Sequence, residues 1–407
     1  MGFASAIIGR HAARPESSGP ASGERGAAPI AVHLGRLLAR LVPGRWQTRH
    51  IFFFGAEGVG GAERVHQDIL DCVANAAPLV VLSDSTADRS VHRVYRAHAK
   101  LVSVAGYERH PIARDILIGF LAGRIDALAG DRARAVVFGA KSRLFYDLLP
   151  HLAGAVKVDL IHAFGGRVAM EQISLPVATR LDRRVVVTRR SKREFETLYR
   201  VNGIAPGYVE RVQVVTNRVT VPAEPPVKSR LGALEVLYVG RGSPEKRVHL
   251  LLNVARRARA KDMPCRFDIV GNVAQSVPPA LRGSYRLCGW IDDPERIRAH
   301  YRRAHVLLLT SNREGFPLAI MEAMAHGVVP ITTDVGGIAE HLVDGRTGFL
   351  IDGDDEGSLV EAMAARLALL AADRHRLGRM ALAAHAYARR NFSGEHFGRA
   401  YREILRA

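Results

Sequence analysis

Two glutamates, Glu314 and Glu322, stand eight residues apart in REGFPLAIMEAMAHG (313–327), an otherwise apolar stretch. Pro317 suits the first position of a helix and Gly327 its C-terminal stop. Glu314 is then expected in the loop before the helix and Glu322 more than a turn inside it. At about 1.5 Å rise per residue they lie roughly 12 Å apart. Free N–H groups at a helix start make an anion site, and acids at either end of such a turn can accept hydrogen bonds from hydroxyls. That layout suits a sugar–diphosphate–ribose, in which polyols flank two phosphates. The spacing equally allows a plainer pair, with Glu314 complementing the helix dipole and Glu322 solvated.

Other candidate groups follow predicted strands. RGSPEKR (241–247) carries Arg241 and Lys246, a guanidinium fork and an ammonium able to hold a diphosphate and stabilise it as a leaving group; it also reads as a plain surface charge run. DVGGIAEHL (334–342) places Gly336 and Gly337 where backbone can approach a ligand closely. In IFFFGAEGVGGAERVHQDIL (51–70), Gly58, Gly60 and Gly61 form a glycine loop between a strand and a helix. This is not GxGxxG, although Asp84 leaves an NAD-dependent Rossmann enzyme as an alternative. His162 closes VDLIHAF (158–164) and is either structural or aimed at the same cleft. No second acid near His162 presents itself.

The elements that would position these groups are short apolar runs alternating with helical patterns. LVVLS (79–83), KLVSV (100–104), AVVFG (135–139) and RVVVT (184–188) join IFFFG (51–55) and VDLIHAF in one series. EVLYVG (235–240), RFDIVG (266–271), HVLLLT (305–310) and VVPITT (328–333) form another. Strands buried on both faces read this way, so each series predicts a parallel sheet covered by helices. Residues 219–229, with three prolines, predict the linker. The expected fold is α/β, two facing Rossmann-like domains with a cleft at the carboxyl ends of the strands.

A chain of 407 residues is too long for one ordinary core, which agrees with two domains. Cys72, Cys265 and Cys288 are isolated, which fits a reducing, cytoplasmic setting without disulfides or a zinc site. The 17 histidines form no HExxH spacing, so no metal site is expected. No apolar run reaches the 18 or so residues of a membrane span. The +18 net charge favours anionic partners, but only seven of the 58 basic residues are lysine, so coding bias is an alternative cause. Zinc fingers, RNP aromatics and basic zippers are absent, which excludes the common nucleic-acid readers. Residues 1–29 are rich in Gly, Ala, Ser and Pro and are expected to be disordered. Residues 3–8 are too short an apolar run for a signal peptide, and Arg10 interrupts them. In IAVHLGRLLARL (30–41), Ile30, Leu34, Leu37, Leu38 and Leu41 share a helical face with His33, Arg36 and Arg40 off it. That predicts a helix that either caps the fold or lies on an anionic membrane. TRRSKRE (188–194), with Arg183 and Arg184 before it, forms a basic stretch without an acid until Glu194. It reads as a solvated face or as part of an acceptor or membrane surface.

Taken together, these segments resemble the retaining family-4 glycosyltransferases of GT-B architecture, from about residue 51 to the end. REGFPLAIMEAMAHGVVPITTDVGG is similar to the family's E-x7-E segment, and VGRGSPEKR to its diphosphate-gripping segment. GGAE (60–63) resembles the first-domain glycine loop, and NFSGEHFGRAYREIL (391–405) the helix that crosses back to the first domain. The resemblance implies domains over 51–220 and 221–390, after a basic extension over 1–50 and before a crossing helix over 391–407. It implies that Glu314 faces the transferred sugar, Glu322 holds the ribose, and Arg241 and Lys246 grip the diphosphate. The backbone at Gly315, Phe316, Pro317 and Leu318 would contact sugar and phosphate, through N–H groups at every position but the proline, with Gly60 and Gly61 contacting the donor and His162 the donor sugar. The implied activity is metal-independent, cofactor-free sugar transfer with retained configuration from a nucleotide-sugar donor to a glycan or glycolipid acceptor. Its setting would be bacterial cell-surface polysaccharide or glycolipid synthesis. A non-catalytic sugar- or nucleotide-binding protein of the same fold is the alternative. The family's Asn-Gly before the linker is here Asn217-Arg218, which is expected to alter one turn and little chemistry.

Overall fold

The computed structural model describes residues 24–406 apart from 45, 56–59, 84–88, 105, 107–109, 129–133, 166–168, 230 and 281–284. Gly58, Asp84 and residues 1–23 of the extension therefore lie outside the described residues.

The apolar runs form strands as the pattern predicts. β1 (His50–Phe54), β2 (Leu79–Leu82), β3 (Lys100–Ser103), β4 (Val136–Ala140), β5 (Val156–Ile161), β6 (Arg183–Val186) and β7 (Val212–Val214) make one sheet. Their order is 3-2-1-4-5-6-7, and every pair is parallel. β8 (Leu234–Val239), β9 (Cys265–Val270), β10 (Arg286–Gly289), β11 (Val306–Leu309), β12 (Val329–Thr333) and β13 (Phe349–Ile351) make the second. There the order is 10-9-8-11-12-13, again all parallel. The central strands are buried along their length and supply the middle of each core. β7, β10 and β13 escaped the pattern because they are edge strands of three or four residues.

Residues 219–229 run without helix or strand between the sheets. The helix Gly394–Ile404 returns to the first domain, where Phe397, Tyr401 and Ile404 join Phe52, Phe54 and Phe138 in one apolar cluster. Crossing and linker meet where the Val219 N–H donates to the Phe392 carbonyl at 3.1 Å. Arg218 does more than change a turn: its guanidinium lies 2.6 Å from Asp68 on the helix Gly61–Asp71.

Two expectations are corrected. The first helix runs Glu24–Leu41, so residues 24–29 are helical rather than disordered. Its small-residue face, Ala31, Gly35 and Ala39, packs against Gly119 and Gly123 of the helix Pro111–Asp126, and this tertiary packing stabilises it. A Cβ on Gly35 would come within 2.0 Å of the Ile116 carbonyl oxygen, so the backbones nearly touch. The leucine face therefore points outward, with Ile30 71% and Leu41 76% exposed. The second correction concerns Arg184, which is not part of a surface basic stretch. It pairs in register with Asp159 on β5, is 1% exposed, and donates from Nη2 to Asp159 Oδ2 at 2.6 Å. Tyr146 and Tyr199 complete this buried network.

Candidate active site

In the second sheet the chain leaves β8 toward β9 and β11 toward β12, in opposite directions. The loops after β8 and β11 therefore part and leave a crevice between them. Lys246 comes from the first loop and Glu314 from the second, and Lys246 Nζ lies 2.5 Å from Glu314 Oε1. The loops are tied behind this pair: Thr310 Oγ1 donates to the Lys246 carbonyl at 2.9 Å, and Arg247 Nε to the Thr310 carbonyl at 2.8 Å. Arg241 shares the loop of Lys246, with its backbone carbonyl held by the Tyr238 hydroxyl at 2.9 Å. Its guanidinium is half exposed, and its ion-pair partner is Glu245 at 3.8 Å rather than Glu314.

Pro317 precedes the helix, which runs Leu318–Ala325, so it sits one position earlier than the sequence implied. Gly327 ends the helix at φ +62° as expected. Glu322 is not solvated: Oε2 accepts from the Tyr301 hydroxyl at 2.8 Å, and Oε1 from Arg64 of the first domain. The negative charge of Glu322 raises the Arg64 pKa further. The Phe316 ring is buried against His341, with centroids 4.5 Å apart. Gly336 and Gly337 permit close backbone approach, but to protein. A Cβ on Gly336 (φ +61°) would come within 2.0 Å of the Glu314 carbonyl oxygen, and one on Gly337 within 2.2 Å of Thr188 Cγ2.

The first sheet has its own switch point between β1 and β4. Glu63 follows β1 and Lys141 follows β4, with Nζ 3.6 Å from Glu63 Oε1. The two domains thus carry mirrored lysine–glutamate pairs, the acid after the fourth strand in one and after the first in the other. Glu63 is an acid of the first-domain switch point that the sequence did not single out. It is 3% exposed, with Oε1 making no hydrogen bond among the described residues. His162 follows β5 directly, and its Nε2 lies 3.0 Å from His66 Nε2. Burial, reinforced by the charge of Lys141, lowers the His162 pKa to about 3. The same causes, with His162 itself adding to them, lower that of His66.

The domains meet across these groups. A Cβ on Gly315 would come within 2.0 Å of the His162 carbonyl oxygen, and one on Gly61 within 3.6 Å of Leu318 Cδ1. Gly60, just before the helix Gly61–Asp71, caps it in extended conformation. Glu340 of the second domain accepts from the N–H groups of Arg189 and Arg190 at 2.8 and 2.6 Å, where the helix Arg189–Val201 begins. The start of the basic TRRSKRE stretch is thus an interdomain contact rather than a solvated face.

The structure brings Lys246 and Glu314 together, and Gly315 and His162, while Glu322 meets Arg64. Glu63, Arg64, His66 and Lys141 had no assigned role in the sequence reading. Glu63 and His66 stand three apart after the glycine loop, a spacing that puts them on one helix face and could have flagged them. Lys141 (φ +57°) carries no such signal. Among the described residues one group of metal-capable side chains gathers elsewhere: Asp268, Cys288 and His300. Asp268 already accepts from Arg286 and Arg303, so its oxygens are engaged by cations.

Residues 233–371 match the family model described as glycosyl transferases group 1. The matched segment starts one residue before β8 and holds Arg241, Lys246, Glu314 and Glu322, whereas the first domain lies outside it. An uncharacterized 41.2 kDa protein in the cps region of Klebsiella pneumoniae is 32% identical over 131 residues, 32% of this chain and 36% of that protein. The D-inositol 3-phosphate glycosyltransferase of Corynebacterium urealyticum is 30% identical over 178 residues, 40% and 42% of the two chains. The chain spans about two fifths of the length of these curated relatives. Beyond the matched segment the likeness is one of fold. Anabaena Alr3699/HepE, solved with UDP-glucose, superposes with a TM-score of 0.67 at 16% identity, over 87% of this chain and 98% of that one. TarM gives 0.67 at 14% identity, over 88% and 99%. The two parallel-sheet domains are those of a GT-B protein.

Proposed function

We propose that this chain is a retaining, metal-independent glycosyltransferase that moves a sugar from a nucleotide diphosphate to a hydroxyl of a bacterial cell-surface glycan or glycolipid. The observation that carries the reading is the Lys246–Glu314 pair, set between the diverging loops of the group 1 domain beside its contact with His162. The printed ligand of the Anabaena structure, UDP-glucose, supports a nucleotide-sugar donor.

Lys246 and Arg241 supply positive charge where a departing diphosphate accumulates negative charge. Glu314 and His162 position the sugar, Glu322 the ribose, and the backbone N–H groups of Gly315, Phe316 and Leu318, with the Gly60–Gly61 loop, the remainder of the donor. The bond from the anomeric carbon to the phosphate oxygen breaks and its electron pair leaves with the diphosphate. The acceptor oxygen bonds the same face of that carbon, and its proton passes to the leaving phosphate. A double displacement would need a carboxylate nucleophile in the cleft. Glu63 is poorly suited to that role, being buried beside Lys141.

The outward leucines of the first helix, with Arg40 beside them, suit the surface of an anionic bilayer and hence a lipid-linked acceptor. No helix among the described residues is long and apolar enough to cross a membrane.

The test is thermal stabilisation of the protein by UDP, GDP, ADP or NAD, each with and without magnesium. One nucleoside diphosphate should raise the melting temperature equally with and without the metal. Stabilisation by NAD alone, or by none, would overturn the reading.

A further inference from the structure

We propose that His66 is a positioning residue that sets His162 in its Nδ1-protonated tautomer, so that His162 meets its ligand as a hydrogen-bond donor and not as a base. Tyr95, on the helix Arg89–Arg96, is fully buried. Its hydroxyl lies 2.7 Å from His66 Nδ1 and has no other hydrogen-bond partner among the described residues. A buried phenol with one neighbour donates to it, because accepting would strand its own proton at a cost of about 1–3 kcal/mol. His66 Nδ1 is therefore the acceptor, and a neutral imidazole then carries its proton on Nε2. That N–H points at His162 Nε2, 3.0 Å away, so the proton of His162 belongs on Nδ1.

The relay is held in place. The His66 ring stacks on Phe54 with centroids 4.1 Å apart and planes 4° from parallel. The relay requires both imidazoles to be neutral, and burial together with the ammonium of Lys141 keeps them so. The charged groups around the pair are Lys141 and Glu63, which face each other at 3.6 Å. His162 Nδ1 makes no hydrogen bond among the described residues, so its N–H is free for a ligand oxygen such as a sugar hydroxyl. That ligand rests on the function proposed above; the tautomer does not.

The experiment is a long-range proton–nitrogen correlation spectrum of the full chain, nucleotide-free at pH 7, with 15N-labelled histidine. The His162 signals are assigned by their loss in His162→Gln. A protonated Nδ1 and an unprotonated Nε2 are expected, with this single tautomer lost or mixed in Tyr95→Phe and in His66→Phe. Nε2-protonated or doubly protonated His162 in the unsubstituted protein would overturn the proposal, as would an unchanged tautomer in both variants when folded. Should neither variant fold, the spectrum of the unsubstituted protein still decides the matter. If the tautomer is found while no nucleoside diphosphate binds, the donor reading fails and the relay stands.

Discussion

Arg64, on the helix that follows the glycine loop of the first domain, donates to Glu322 of the second, whose other oxygen is held by Tyr301. The acid assigned to the ribose thus has a protein partner while no donor is bound. Arg64 is half exposed, so the exchange of this ion pair for a ribose hydroxyl costs little, on the order of 0.2–1 kcal/mol. Arg64→Ala should therefore bind the cognate nucleoside diphosphate up to about fivefold more tightly. Glu322→Ala should weaken it, and titration calorimetry of the two variants measures both. Weaker binding by Arg64→Ala would mean that the guanidinium contacts the nucleotide directly.

Lys246→Ala should lower kcat by about 10²–10³, the scale of losing one preorganised charge partner in a transition state. Arg241→Ala should also lower kcat, but less, because its half-exposed guanidinium is the more screened of the two. Steady-state rates on the cognate donor read both effects. Unchanged turnover in Lys246→Ala would remove the leaving-group role.

Gly315→Ala and Gly336→Ala should fail in different ways. The added methyl at 315 strikes the His162 carbonyl across the domain boundary, so each domain stays folded while the cleft is held apart. The methyl at 336 strikes Glu314 within its own domain, at a φ of +61°. Small-angle scattering should show a larger radius of gyration for Gly315→Ala with little loss of melting temperature. A lowered melting temperature is the expected mark of Gly336→Ala.

Folding should weaken on acidification in part through the histidine pair. With the folded His162 pKa near 3 and an ordinary value of about 6.5 in the unfolded chain, the unfolded state binds the extra proton as pH falls from 6.5 toward 3. Stability is thus lost downward through that window, and the lowered pKa of His66 adds in the same direction. His162→Gln should flatten the slope of unfolding free energy against pH there by about one proton. An unaltered slope in urea titrations would show that His162 titrates normally in the fold.

The protein should bind vesicles containing anionic lipid more tightly than neutral ones, and added salt should weaken this binding. Leu34→Glu with Leu38→Glu should abolish it without unfolding the helix, since the packed face is Ala31, Gly35 and Ala39. Equal, salt-insensitive binding to both vesicle types in a sedimentation assay would remove the membrane role.

Much of the scaffold was legible because a central parallel strand is apolar along its whole length, as in IFFFG or HVLLLT. Lys246 and Glu314 could be singled out because each lies just beyond such a strand. What stayed hidden depends on distant pairing. Nothing near Glu322 in sequence announces Arg64, 258 residues away. Nothing in RVVVT announces that Arg184 is locked to Asp159 by strand register. The first helix was legible as amphipathic, but which face packs was decided by close approach at Gly35, Gly119 and Gly123, and glycine adds nothing to an apolar stripe.

The return of Gly394–Ile404 to the first domain bears on how the chain is synthesised. Phe138 meets Tyr401 at 6.4 Å between centroids, and Phe397 and Ile404 seal the same cluster. A nascent chain stopped at residue 393 has built the whole second domain but still shows water the apolar face that these side chains cover. The second domain has all its core residues by Phe392, whereas the first cannot finish until the helix Gly394–Ile404 has been made. For that interval the earlier-made half is the one in need of a chaperone.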